Sequence, residues 1–179
     1  APEVAEFLDY VTELGDEGIT IAPGFSYERA PKQDVFIKGN DVKELFRGIF
    51  KLGKGRKWKL NHSSLYLDFL AGNQDYNCTP WGNPTRNVFG WQKPCYLLAD
   101  EGYAQTFQEL LDSTPWDKYG SVNNPKCASC MAHCGYEATA VEDMLKNPIK
   151  GMRVSLLGIK TDVKMVETAA PVQTPVSTL

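Results

Sequence analysis

Three of the chain's five cysteines fall in one run, Cys127-Ala-Ser-Cys130-Met-Ala-His133-Cys134, and the other two, Cys78 and Cys95, bracket an aromatic-rich segment upstream. A thiolate is a soft ligand suited to zinc or to iron-sulfur clusters, and a Cys-x-x-Cys pair lets two sulfurs of one short loop reach a single ion or cluster. Cys134 follows the pair at the start of a helix expected over 137–146, so it completes a three-sulfur cradle. Cys78 or Cys95 would supply the fourth ligand. Plain chemistry offers other readings. Buried thiols pack as small hydrophobes, although scattered ones do not usually form a Cys-x2-Cys-x3-Cys array. Disulfides are disfavoured by the odd count and by the lack of a visible signal peptide. A structural zinc needs four thiolates, which the chain has, but Cys78 and Cys95 are separated by sixteen residues, not the usual two to four of a zinc loop. Zinc and iron-sulfur both remain open on spacing alone.

The elements around these thiols follow from length and pattern. A chain of 179 residues with 42% hydrophobic and 23% charged content holds one ordinary core. The net charge of -3 gives no global attraction to nucleic acid, and none is expected as a partner. No apolar run approaches the ~20 residues of a membrane-spanning helix. Ala1 opens directly into helical pattern, so the chain is expected to be the later portion of a longer protein.

Pro2 begins a helix whose Val4, Phe7, Leu8, Val11 and Leu14 form a core-facing stripe up to Gly15. Residues 18–22 then read as a short buried strand stopped by Pro23-Gly24. Helix, turn and strand make the last step of a β/α repeat, whose following loop carries binding residues because it opens at the carboxyl end of the sheet. Tyr27, Glu28 and Arg29 are the candidates there, against the alternative of a surface Glu28–Arg29 pair of little energetic weight.

Asn40 or Asp41 caps a second helix with Val42, Leu45, Phe46, Ile49 and Phe50 inward and Lys43, Glu44 and Arg47 on the opposite side. A basic run, Lys51 to Lys59 with Trp58 inside it, suits plain solvation first, and otherwise nucleic-acid phosphates or an anionic lipid surface. Ser63 caps a short apolar helix closed by Gly72. Arg86 to Trp91 reads as one strand and Cys95 to Leu98 as its partner, which would draw the two cysteines toward one end of the sheet. A helix near Thr106 to Asp112 follows, with Phe107, Leu110 and Leu111 inward. Residues 161–179 lack bulky apolar content and read as a disordered tail.

Several blocks together resemble the carboxyl-terminal half of the hopanoid-biosynthesis radical S-adenosylmethionine proteins, the adenosylhopane synthases, over residues 1 to 147. They are Gly-Ile-Thr-Ile-Ala-Pro-Gly-Phe-Ser-Tyr-Glu-Arg-Ala (18–30), Trp-Lys-Leu-Asn-His-Ser (58–63), Leu-Asp-Phe-Leu-Ala-Gly-Asn (67–73), the whole stretch from Cys78 to Tyr96, and Cys-Gly-Tyr-Glu-Ala-Thr-Ala (134–140). The resemblance implies an α/β fold: the last unit of a partial (β/α) barrel over 1–31, then an α+β cysteine-rich extension over 32–160. It implies a four-iron (4Fe-4S) cluster and S-adenosylmethionine in the full enzyme, a hopene as substrate, and an electron donor such as flavodoxin or ferredoxin. The location implied is cytoplasmic, with peripheral contact at the inner membrane face. In that family a 5′-deoxyadenosyl radical adds to the alkene of the hopene, and the protein orients the reacting groups and excludes quenching. One departure matters. The radical-generating motif is Cys-x3-Cys-x2-Cys near the barrel start, whereas this chain carries the reverse spacing near its end. The catalytic ligands are therefore absent here, and this chain alone is expected to be inactive. The competing reading is a binding or scaffold module stabilised by zinc or iron-sulfur, with no catalysis of its own.

Overall fold

The computed structural model describes residues 1–25, 30–98 and 100–167. Among them are six α-helices: α1 (Pro2–Glu13), α2 (Asn40–Leu52), α3 (Ser64–Leu70), α4 (Phe107–Ser113), α5 (His133–Lys146) and α6 (Pro148–Leu157). A three-stranded antiparallel sheet, ordered β1 (Arg86–Asn87), β2 (Gly90–Gln92), β3 (Tyr103–Ala104), completes a mixed α/β fold.

The core is built around α3. The Ser63 hydroxyl accepts the Tyr66 N–H at 3.2 Å, which starts the helix as its side-chain pattern requires. Every residue from Leu65 to Leu70 is buried, so α3 is apolar on nearly all sides and is enclosed by α2, α5 and α6. Phe69 stacks on Tyr136 of α5 with ring centroids 4.6 Å apart. The Tyr66 hydroxyl, wholly buried, donates to the Met131 carbonyl at 2.9 Å and so ties the core helix to the cysteine loop.

Several expectations change in the folded chain. In α1 only Ala5 and Leu8 are buried, while Phe7, Tyr10 and Leu14 are exposed, because this helix packs chiefly on α2. The strand expected over 18–22 is reduced to a single parallel bridge. Ile19 donates to the Lys59 carbonyl and its own carbonyl accepts from Asn61, both at 2.8 Å. In α4 only Leu110 is buried, and Phe107 and Leu111 stay largely exposed. The Thr106 hydroxyl caps this helix by accepting the Glu109 N–H at 3.0 Å.

The strand expected from Arg86 to Trp91 is instead a hairpin in itself, with Arg86 opposite Trp91 and Asn87 opposite Gly90. Asn87 Oδ1 accepts the Phe89 N–H at 2.9 Å, and Gly90 has φ +129°, where an added Cβ would lie 2.5 Å from the Ala104 carbonyl oxygen. A side-chain turn and a glycine therefore reverse the chain in mid-run. The true partner of β2 on its other edge is β3, and Cys95 to Leu98 forms its own tight turn, closed by one bridge.

The largest correction concerns the polar side of α2. Lys43 and Arg47 are both buried. Arg47 donates to the Ala71 carbonyl at 2.6 Å, to Asn73 Oδ1 at 2.9 Å and to the carbonyls of Thr161 and Val163. Residues 161–167, the beginning of the expected tail, are thereby laid across the core, and Val166 donates to the Gly72 carbonyl at 2.8 Å. In the basic loop, Arg56 pairs with Asp9 and stacks over Trp58, whose indole N–H also reaches Asp9, at 2.8 Å. No helix among the described residues is long and apolar enough to cross a membrane.

Candidate metal centre

The five cysteines come from three separate stretches of the chain and line one cavity of about 30 Å³. Phe25, Pro80, Pro94, Leu97, Leu98 and Tyr119 supply most of its apolar wall. Cys127 ends a 3-10 turn, Pro125–Cys127, started by the Asn124 side chain, and Cys130 donates its N–H to the Cys127 carbonyl at 2.9 Å. That turn folds the Cys-x-x-Cys pair toward one point. Cys134 lies in the first turn of α5, and Gly135 beside it is forced by packing: a Cβ there would sit 2.2 Å from Cys78 Sγ. Thr79 N–H donates to the Gly135 carbonyl at 3.1 Å and holds the Cys78 segment against the helix.

The sulfurs are surrounded by backbone donors. The backbone N–H groups of Leu97 and Leu98 draw down the Cys95 thiol, that of Gly120 the Cys127 thiol, that of Ala132 the Cys130 thiol and that of Gly135 the Cys134 thiol. The Tyr96 hydroxyl bonds the Cys134 sulfur, and Tyr96 is pushed up to about 12 by burial and by the neighbouring thiols. Burial is also the main cause that raises every one of the five cysteines. The other thiols add to the rise at Cys78, and Cys130 is pushed up to about 12 despite its N–H partner. Thiols of this kind are poor nucleophiles, because only the thiolate reacts. A bound cation reverses that balance and deprotonates a coordinating thiol outright, and N–H···S contacts are the outer-shell support that thiolate ligands use. The donor chemistry therefore fits a soft metal. As the side chains stand, no group of three or more His, Cys, Asp or Glu among the described residues is gathered tightly enough to hold an ion.

Two features escaped the sequence reading. His62, with a side chain only 3% exposed, accepts the Ile21 N–H at Nε2 (3.1 Å), so its proton sits on Nδ1 and is donated to Glu137 Oε2 at 2.9 Å. The other Glu137 oxygen accepts the Ser63 N–H at 2.8 Å. Burial would raise this carboxyl, but the His62 and Ser63 bonds outweigh it and hold it below the usual range. The second is Tyr96, whose hydroxyl a sequence pattern cannot orient. Tyr27, Glu28 and Arg29 lie outside the described residues. The chain leading to them ends at Phe25 in the wall of the cysteine cavity.

No curated protein and no solved structure matches this chain. A family model, the domain of unknown function DUF3463, matches residues 19–154, from the Ile19 bridge through all five cysteines and into α6. With about three quarters of its length covered by that model, the chain belongs to the DUF3463 family.

Proposed function

We propose that this chain is the carboxyl-terminal domain of a radical S-adenosylmethionine enzyme that adds a 5′-deoxyadenosyl group to a hopene, and that its cysteines hold a metal centre. The observation that carries this reading is convergence. The blocks that resemble the hopanoid enzymes are dispersed over residues 18–140, yet they meet at one place: Ile21 on His62, His62 on Glu137, Cys78 on Gly135, and Tyr96 on Cys134. Membership of the DUF3463 family is compatible with a carboxyl-terminal position in such proteins. In this reading α1 and the Ile19 bridge are the last helix-strand unit of a partial barrel, and the exposed Phe7, Tyr10 and Leu14 form the face that a preceding unit covers.

A reduced four-iron cluster, held by residues outside this chain, would supply the one-electron cleavage of S-adenosylmethionine. The residues of this chain do the rest of the work by placement. Phe25, Leu97 and Leu98 keep water from the cysteine cavity, and Tyr27, Glu28 and Arg29 bind cofactor or substrate at the mouth of the barrel. A second reading, a zinc-stabilised scaffold without catalysis, is favoured by the cavity's size, since about 30 Å³ holds a single ion more readily than a cluster.

Anaerobic purification of the intact protein with iron, sulfide and zinc analysis separates the two. The enzyme reading expects 5′-deoxyadenosine and an adenosylated hopene once the protein meets a reductant, S-adenosylmethionine and a hopene. It also expects Cys127→Ser and Cys130→Ser to lose metal. Absence of both products from iron-loaded protein overturns the enzyme reading, and full metal content in both serine variants overturns the metal centre.

A further inference from the structure

On the far side of Cys130 from the cysteine cavity lies a second, larger cavity of about 210 Å³, which the proposed chemistry does not use. Its floor is aromatic, made by the stacked pair Phe69 and Tyr136. Gly39 and Asn40, the start of α2, form one wall, and Ser121 and Ser129 stand on another. α2 is 13 residues long and has no side-chain cap. Among the described residues, the one acceptor from outside the helix for its first N–H groups is the Lys38 carbonyl, which takes that of Asp41 at 3.3 Å. Such a terminus carries partial positive charge with donors facing outward.

Lys43 is the second and independent observation. It lines the same cavity and is only 4% exposed, yet its ammonium has no hydrogen-bond or ion-pair partner among the described residues. Its stem lies over Gly72, where an added Cβ would approach Lys43 Cδ to 2.9 Å. Burial lowers its ionisation, the Asp75 carboxylate draws it back up, and the Arg47 guanidinium lowers it again. Asp75 also lines the cavity and is exposed. The Lys43 stem is buried while its ammonium opens on the cavity, with no hydrogen-bond partner among the described residues, beside an uncapped helix terminus, so an anion bound there would give both sets of donors an acceptor.

We propose that this cavity binds a small ligand by an anionic oxygen group, a carboxylate or a phosphate, held by Lys43 and the first turn of α2, with its apolar body on Phe69 and Tyr136. Asp75 opposes a bare anion and so limits occupancy to ligands whose charge is placed away from it. The site shares Cys130 with the cysteine cavity but none of the other four sulfurs.

Isothermal titration of the intact protein at low salt, with inorganic phosphate and with benzoate as probes, tests it. Saturable binding of phosphate alone, of benzoate alone or of both supports the site and identifies the class. Lys43→Met should weaken that binding by about tenfold or more, the worth of one charged hydrogen bond. Asp75→Asn, an exposed change that does not threaten folding, should tighten it by about threefold through loss of like-charge repulsion. Should Lys43→Met fail to fold, the Asp75 variant decides alone. Absence of saturation by either probe, or an affinity that neither variant moves, overturns the proposal.

Discussion

Gly135 sits where helix propensity and packing disagree. In an open helix, Gly→Ala stabilises by about 0.5–1 kcal/mol, but here the new methyl would overlap Cys78 Sγ at 2.2 Å. The sulfur would have to leave the cavity wall. Gly135→Ala is therefore expected to destabilise by about 1–3 kcal/mol, the range for overpacking, and to lower metal content. A urea-unfolding midpoint at or above that of the parent would show that the sulfur yields freely. At this scale the cysteines themselves were legible, because spacing in one loop survives folding. The partners were not. His62 and Glu137 are 75 residues apart, and nothing in either residue's neighbourhood announces a hydrogen bond that only the α3–α5 contact creates.

The corner between α5 and α6 is an electrostatic joint. The Asp143 carboxylate accepts hydrogen bonds from Tyr76 and Lys150, and its other oxygen accepts from Asn147 at 2.8 Å. Burial alone would raise this carboxyl, but those donors prevail and hold it at about 2. A folded-state value below the unfolded one means that its stabilisation is complete above the ordinary carboxylate range, near pH 4, and is lost as pH falls toward 2. Asp143→Asn should accordingly lower stability at neutral pH and flatten the acid limb, read as unfolding midpoints between about pH 6 and pH 3. Parallel acid limbs for the two proteins would place the titrating group elsewhere. α2, with its strong periodicity, and α3, an apolar run between the Ser63 cap and Gly72, were readable before folding. The hairpin at Arg86 was misread because the strand-favouring Val88, Phe89 and Trp91 sit in and just past a turn that Asn87 and Gly90 impose locally.

Across the whole molecule, Arg47 joins three distant pieces of chain: α2, the end of α3 and residues 161–167. Periodicity placed Lys43 and Arg47 on a polar face, correctly as a stripe, but could not show that a later segment with bare carbonyls would cover it. Arg47→Met should destabilise by about 2–4 kcal/mol, as buried acceptors lose a charged donor. It should also open residues 161–167 to limited proteolysis, and cleavage rates equal to those of the parent would count against the clamp. The cysteine cavity is spread just as widely, and that has a consequence in time. Cys78 leaves the ribosome 56 residues before Cys134, about 3–11 s earlier at ordinary rates of synthesis. Through that interval Cys78 and Cys95 are solvated thiols of ordinary reactivity, without the partial burial that later suppresses their ionisation. The thiol centre is open to oxidants chiefly while the protein is being made.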